Sequence, residues 1–195
     1  MKLLLLAKNY ENYESGYYHQ DWINALKRSN DCFMWGEGYP FYNNFSTIDE
    51  IIYLAKSKLG SIEAIFIMSS WENQKEGDNY NPEPTIKLRE IKIPKIFFLN
   101  KEYKKLSLKI DYLKENKIDL VVSVLEEIKE KFDFTKFLHL PFAVDIKRVI
   151  KYVKNENKYI YDFAFTGSLH SNHLDSRFLV KQKLNLKNKK FYNGK

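Results

Sequence analysis

The sequence lacks the cysteine pairs of a disulfide framework and the long apolar runs of a membrane protein. Its single cysteine, Cys32, excludes a disulfide bond within the chain, which fits a reducing compartment. Cys32 stands beside Phe33 and Met34, so we expect a buried strand residue rather than a nucleophile. No stretch approaches the roughly 18 apolar residues of a membrane span, and the apolar run before Lys8 is too short for a signal peptide. The sequence predicts a cytoplasmic protein, with peripheral contact to the inner membrane left open.

Basic residues outnumber acidic residues, but the basic residues are not clustered in the sequence. Lys and Arg number 32 against 25 Asp and Glu, for a formal net charge of +7. Such an excess can favour an acidic ligand, nucleic acid or an anionic membrane face. The basic residues are mostly lysines scattered among Asn, Ile and Tyr, without an arginine-rich cluster or an aromatic-interleaved basic stripe. We therefore predict no nucleic-acid partner.

The apolar content indicates a packed globular protein. Apolar residues make up 44% of the sequence and aromatic residues 16%, which argues against disorder. The chain has 195 residues, enough for one full domain and part of another.

Apolar stretches alternate along the chain with stretches whose apolar residues recur at helical spacing. Predicted strands lie at residues 3–7, 32–35, 62–68, 95–99, 120–125 and 137–140. Predicted helices lie at about 17–29, 48–58, 86–91, 103–116, 126–131 and 146–153. This alternation predicts an α/β domain over residues 1–155, with a Rossmann-like doubly wound parallel sheet.

The loop after the first strand is the place where a dinucleotide would bind in a Rossmann-like domain. Here that loop, residues 8–16, contains one glycine, Gly16, and lacks the G-x-G-x-x-G pattern. We therefore predict no NAD or FAD at this loop, and no cofactor elsewhere.

A second unit is predicted to begin after the charged, Asn-rich stretch at 155–158. An apolar strand runs into Thr166-Gly167-Ser168, a turn whose glycine can adopt positive φ, and a helical pattern follows. Such a unit can direct backbone N–H groups at an anion, typically phosphate. Another strand is predicted near 189–192, but a parallel sheet needs more strands, so we expect residues 156–195 to be the beginning of a domain.

Two segments resemble glycosyltransferases of the GT-B fold. They are Leu138-His139-Leu140-Pro141-Phe142-Ala143-Val144-Asp145 and Tyr161-Asp162-Phe163-Ala164-Phe165-Thr166-Gly167-Ser168, the latter followed by Arg177. The sequence looks most like the bacterial CgeB-type (spore-maturation) group and its family-1-like relatives. The resemblance covers the whole chain in layout, but its specific residues are confined to these segments.

The resemblance implies an acceptor-side domain over residues 1–155 and the start of a C-terminal domain that binds a nucleotide sugar over 156–195. It implies transfer of a sugar from a nucleotide-sugar donor to a glycan or protein acceptor, without a metal. Since the donor domain is incomplete, we expect a truncated enzyme. The alternatives left open are a non-catalytic Rossmann-like binding module and a degenerate remnant. A receiver-like or flavodoxin-like single domain fits less well, because no acidic cluster follows the first strand.

The resemblance also implies donor-binding residues. In the family pattern the glycine turn faces the diphosphate and a basic residue lies on the following helix. The residues at these positions and between them are Gly167, Ser168, His170, Asn172, His173 and Arg177. The alternative is a structural glycine turn with a surface salt bridge at Arg177. His170 and His173 form H-x-x-H without a following ligand pair, so no metal site is predicted.

Catalysis by an inverting enzyme needs a general base for the acceptor hydroxyl, whereas a retaining enzyme needs none. Groups at the carboxyl ends of parallel strands converge on one cleft. The candidates there are Glu14, His19, Glu37, Glu72 and Glu102. We predict His19, whose ordinary pKa suits a base, and Glu72 as catalytic residues, and Gly16, Tyr17 and Tyr18 as acceptor-binding residues. The alternatives are a capping histidine, solvated carboxylates and core aromatics.

Overall fold

The structure, a computed structural model, describes residues 1–11, 17–68, 86–100, 102, 105–140, 163–166 and 191–194. The chain divides into two compact units, Met1–Val149 and Ile150–Lys195. Among these residues, the first unit has a six-stranded sheet and three α-helices, and the second has a pair of strands. Every strand pairing in both sheets is parallel, so the predicted α/β fold with a Rossmann-like parallel sheet is confirmed.

The sheet of the first unit has the strand order β2-β1-β3-β4-β5-β6. Its strands are β1 Lys2–Leu6, β2 Asp31–Trp35, β3 Ala64–Ile67, β4 Lys95–Leu99, β5 Leu120–Ser123 and β6 Lys136–His139. Strand β1 lies in the interior of this sheet, where Leu4 is in register with Phe33 on one side and with Ile65 on the other. All six predicted strands are therefore present, and β4 has the predicted bounds.

Three α-helices lie between described strands, and each corresponds to a predicted helix. Helix α1, Tyr17–Ser29, has the predicted bounds, while α2 spans Ile48–Leu59 and α3 spans Leu106–Glu115. The predicted helix at 126–131 is instead a 3-10 helix, Lys129–Phe132. The helix predicted at 146–153 lies outside the described residues.

The helix predicted at 86–91 is wrong. Residues 86–88 are not helical, and a turn follows at Arg89 and Glu90. Ile86 and Leu88 are buried while Lys87 between them is exposed, which is the alternation of an extended segment. The backbone N–H of Leu88 donates to Asn116 Oδ1 (2.9 Å), so a side chain provides the acceptor that a helix would have provided.

Two apolar cores cover the two faces of the sheet. Leu4 and Leu6 belong to a core that includes residues of α2 and α3, whereas Leu3 and Leu5 belong to a core that includes residues of α1. Successive side chains of a strand point to opposite faces, so helices on both faces bury every second residue on each side. This arrangement explains the uninterrupted apolar run of β1 and defines the sheet as doubly wound.

The strand order places a topological switch point between β1 and β3. The chain leaves β1 toward β2 at one edge, and it leaves β3 toward β4 in the opposite direction. In open α/β sheets, ligands bind outside the carboxyl ends of the strands at such a point. The order is the one found in flavodoxin-like sheets rather than the 3-2-1-4-5-6 order of dinucleotide-binding domains.

The second unit contains two parallel strands, β7 Phe163–Thr166 and β8 Phe191–Gly194. Phe165 of β7 is in register with Asn193 of β8. Both strands were predicted from the sequence, the second with slightly earlier bounds. Because Thr166 is the last residue of β7, Gly167 and Ser168 follow directly after a strand end.

Candidate active site at the carboxyl edge of the sheet

Asn9 joins the loop after β1 to the loop after β2. Its backbone N–H donates to the carbonyl oxygen of Glu37 (2.9 Å), and its side-chain amide donates to the carbonyl oxygen of Gly38 (3.2 Å). Its side-chain oxygen accepts the backbone N–H of Glu11 (2.9 Å). One side chain therefore fixes the conformation of the first loop and its position against the second.

Gly38 is the point of closest approach between these two loops. Its φ is +85°, and a Cβ at this position would lie 3.0 Å from the Cβ of Asn9. A side chain here would meet both an unfavourable backbone conformation and a steric clash. Glycine is therefore required for the two loops to pack together.

His19 lies where the sequence predicted, in the first turn of α1. The helix begins at the carboxyl edge of the sheet because it follows the loop after β1. The imidazole ring stacks on the ring of Tyr10, with centroids 4.9 Å apart and 24° between the planes. Only 3% of His19 is exposed, and Asp21 is also buried. The contact with Tyr10 orients the imidazole against the loop after β1.

Tyr39 contributes a buried hydroxyl from the loop after β2. Within the part of the chain that the structure describes, this hydroxyl has no hydrogen-bond partner. Burial, and to a smaller extent the Glu11 carboxylate, raise the pKa of Tyr39 to about 12. The phenol is therefore neutral at physiological pH. Gln20 Oε1 and Trp22 Nε1 in α1 are likewise buried and unpaired among the described residues.

Two of the predicted candidate bases are occupied by other groups. Glu37 Oε2 lies 2.9 Å from Lys8 Nζ in a partly exposed ion pair. Glu102 is buried and its Oε1 accepts the hydroxyl of Ser123 (2.6 Å). The same hydroxyl oxygen accepts the backbone N–H of Leu125 (3.1 Å). Glu102 therefore stabilises the ends of β4 and β5 and is not open to a substrate.

Buried polar groups continue from Glu102 into α3. Lys109 is 3% exposed, and its Nζ donates to the carbonyl oxygen of Asn100 (2.7 Å) just after β4. The backbone N–H of Leu140 donates to the carbonyl oxygen of Ser123 (2.9 Å), which links β6 to β5. These bonds engage the described polar groups that follow β4 and β5, so we take the β1–β2 side as the candidate site.

The remaining predicted site residues lie outside the described part of the chain. Tyr17 and Tyr18 are the first two residues of α1, but their side chains are not described. The others outside are Glu14, Gly16, Glu72, Gly167, Ser168, His170, Asn172, His173 and Arg177. The predicted grouping of donor-site residues therefore stays a prediction.

The sequence reasoning missed Asn9, Gly38 and Tyr39. Gly36 and Gly38 directly follow the second strand in the sequence. One sequence signal could have indicated this region: a glycine followed by an aromatic residue just after a strand. A glycine there can adopt positive φ, which allows two loops to approach closely.

No group of three metal-ligating side chains occurs among the described residues. None of the helices described is both long enough and apolar enough to cross a bilayer. The chain matches no protein-family model, no curated protein and no solved structure. The fold defines the first unit as a doubly wound parallel α/β domain, in which the loops after β1 and β2 form a polar edge.

Proposed function

We propose that the chain acts in glycosyl transfer, with the first unit on the acceptor side and a nucleotide sugar as donor. The observation that carries the proposal is the position of His19, a buried imidazole oriented by Tyr10 at the carboxyl edge, next to the switch point where doubly wound sheets bind ligands. The two glycosyltransferase-like segments support it, and so does the strand β7 that leads directly into Gly167 and Ser168.

In the proposed chemistry the first unit supplies the general base. His19 accepts the proton of the acceptor hydroxyl while the acceptor oxygen forms a bond to the anomeric carbon of the donor sugar. The bond between that carbon and the diphosphate breaks, and its electron pair leaves with the nucleoside diphosphate. We choose His19 among the described candidates because its imidazole is stacked on Tyr10 beside the loop after β1, and histidine is the commonest general base.

The test is transfer by the full chain. The protein is incubated with a panel of nucleotide sugars, with and without oligosaccharide acceptors, and released nucleoside diphosphate and labelled product are measured. Loss of a positioned general base lowers the rate by about a hundredfold or more, so we expect that loss for His19→Gln. The matched control is Lys27→Gln, because Lys27 is exposed in the last turn of the same helix and belongs to neither glycosyltransferase-like segment.

Equal rates for His19→Gln and the wild-type protein would remove His19 as the base. If the wild-type protein releases no nucleoside diphosphate with any donor, the enzyme proposal fails. The first unit would then be a non-catalytic binding module.

A further inference from the structure

A cavity opens at the amino edge of the sheet in the first unit, the edge opposite the candidate active site. Its volume is about 690 Å³, within the range of small-molecule sites. It is lined by the end of α3, the turn from α3 into β5 and the turn into β6. The charged residues of its lining are Lys114, Lys117, Asp119, Asp133 and Lys136.

The walls of this cavity are held in place by hydrogen bonds. The Thr135 hydroxyl donates to the carbonyl oxygen of Ile118 (2.7 Å), which joins the turn before β6 to the turn before β5. Asp119 Oδ2 accepts the backbone N–H of Lys95 (2.7 Å), and the backbone N–H of Asp119 donates to the carbonyl oxygen of Lys95 (3.0 Å). The cavity is therefore preformed, as small-molecule sites usually are.

The charges of the lining favour an anion. Three lysines and two aspartates line the cavity, and one of the aspartates, Asp119, is bonded to the backbone of Lys95. The three lysines are exposed and form no ion pair within the part of the chain that the structure describes. Lys114 Nζ lies 5.0 Å from the centre of the Phe134 ring, which places one ammonium group at the cavity wall. An excess of uncompensated ammonium groups attracts anions.

Lys117 has a backbone conformation that is unfavourable for lysine. The residue follows the C-cap of α3, and its φ is +50°. Its backbone N–H donates to the carbonyl oxygen of Lys114 (3.1 Å), and the N–H of Ile118 donates to that of Leu113 (3.1 Å). These two bonds form a Schellman motif, in which glycine is the usual residue at this position because it adopts positive φ without strain. Strained residues cluster at binding sites, so a lysine here, in the lining of a cavity, indicates that its charge has a ligand.

We propose that this cavity binds a small phosphate ester that carries hydroxyl groups, such as a sugar phosphate. Lys117 and Lys136 bind the phosphate, since lysine ammonium groups bind phosphate as point charges. The exposed Asp133 carboxylate accepts from a hydroxyl of the ligand, and the half-buried Phe134 contacts its carbon atoms. The inference goes beyond the proposed function and does not rest on it, because the cavity and His19 lie at opposite edges of the sheet.

The experiment measures binding to the full chain by calorimetry at low ionic strength. The ligands are a panel of hexose and pentose phosphates, the corresponding neutral sugars, and inorganic phosphate. We expect at least one sugar phosphate to bind with a dissociation constant below about 1 mM. Lys117→Gly and Lys136→Gln should each weaken that binding by about five- to tenfold, the effect of a lost hydrogen bond to a charged group. The melting temperature of ligand-free Lys117→Gly should be equal to or higher than that of the wild-type protein, since glycine relieves the strain.

The matched control is Lys105→Gly. Lys105 has the same charge and a similar φ, +48°, but it does not line the cavity. The substitution therefore makes the same change in charge and in backbone preference at another place, and it should leave sugar-phosphate binding unchanged.

The inference is wrong if no sugar phosphate binds, or if the neutral sugars or inorganic phosphate bind as tightly as the sugar phosphates. It is also wrong if Lys117→Gly leaves binding unchanged or if Lys105→Gly weakens it equally, because the effect would then come from net charge alone. A lower melting temperature for Lys117→Gly would likewise overturn it, since weaker binding would then follow from lost structure. Loss of glycosyl transfer in His19→Gln with sugar-phosphate binding intact keeps the two proposals separate.

Discussion

At the residue scale, Gly38 and Gly60 distinguish two reasons for a glycine, which are a positive φ and a lack of space for a Cβ. Both have positive φ, +85° and +80°, but a Cβ at Gly38 meets Asn9 Cβ at 3.0 Å, whereas a Cβ at Gly60 meets only the flexible end of Lys2 at 3.5 Å. We expect Gly60→Ala to lower the free energy of unfolding by about 1 kcal/mol, the cost of the left-handed backbone. Gly38→Ala should cost about 2 to 3 kcal/mol, because the loops must also separate.

Urea denaturation of both variants measures this difference. Equal losses would show that the contact between Gly38 and Asn9 does not hold the two loops together.

The locations of single residues were predictable where they follow from the order of strands and helices along the chain. The predicted position of His19 at the start of the first helix is confirmed, while its catalytic role stays a prediction. Cys32 was expected in a strand, and it lies partly buried in β2, where burial chiefly raises the pKa of its thiol. Tyr39 was not identified, because its hydroxyl is buried by packing between two loops. The local sequence does not predict such packing.

At the scale of elements, Glu102 and Ser123 hold β4, β5 and the start of α3 together. Removing the Glu102 carboxylate leaves the buried Ser123 hydroxyl without its acceptor. We expect Glu102→Ala to lower the free energy of unfolding by about 2 to 3 kcal/mol, as for other buried hydrogen bonds to charged groups. Glu102→Gln should recover part of this loss, since an amide oxygen can accept the same bond.

The control is Glu126→Ala, which removes an exposed carboxylate 3.8 Å from His139 and should cost less than about 0.5 kcal/mol. The comparison is made by chemical denaturation at neutral pH. If the two alanine variants are equally stable, Glu102 is not part of a structural network and returns to the list of candidate bases.

Elements with local signals were the ones that the sequence predicted best. Helix α2 begins after Thr47, whose hydroxyl accepts the backbone N–H of Glu50, while the Glu50 carboxylate accepts the N–H of Thr47. This capping box is readable in the sequence. Residues 86–91 carry no such signal, and short apolar runs are ambiguous between helix and strand. The extended residues 86–88 are instead held through Leu88 by Asn116, which lies far along the chain.

At the scale of the whole molecule, both apolar cores of the first unit are formed from residues between Leu3 and Leu140 in the described part of the chain. We therefore expect a fragment ending at Val149, the boundary of the first unit, to fold by itself. The measurements are circular dichroism and urea unfolding, in which a single cooperative transition is expected. A fragment that unfolds without cooperativity would show that the first unit depends on the second.

The parallel sheet as a class was predictable, because continuous apolar strands alternate with amphipathic helices. The strand order was not, since pairing between strands is decided by tertiary packing. The switch point between β1 and β3, and with it the location of the candidate site, therefore came from the structure alone.

The strand order also has a consequence for synthesis of the protein. Strand β2 adds beside β1, and from β3 onward each strand adds beside the most recently placed strand on that side. No strand must be inserted between two that are already paired. During translation, each strand from β2 onward therefore emerges from the ribosome after the strand with which it pairs. The sheet can form in the order in which its strands are synthesised.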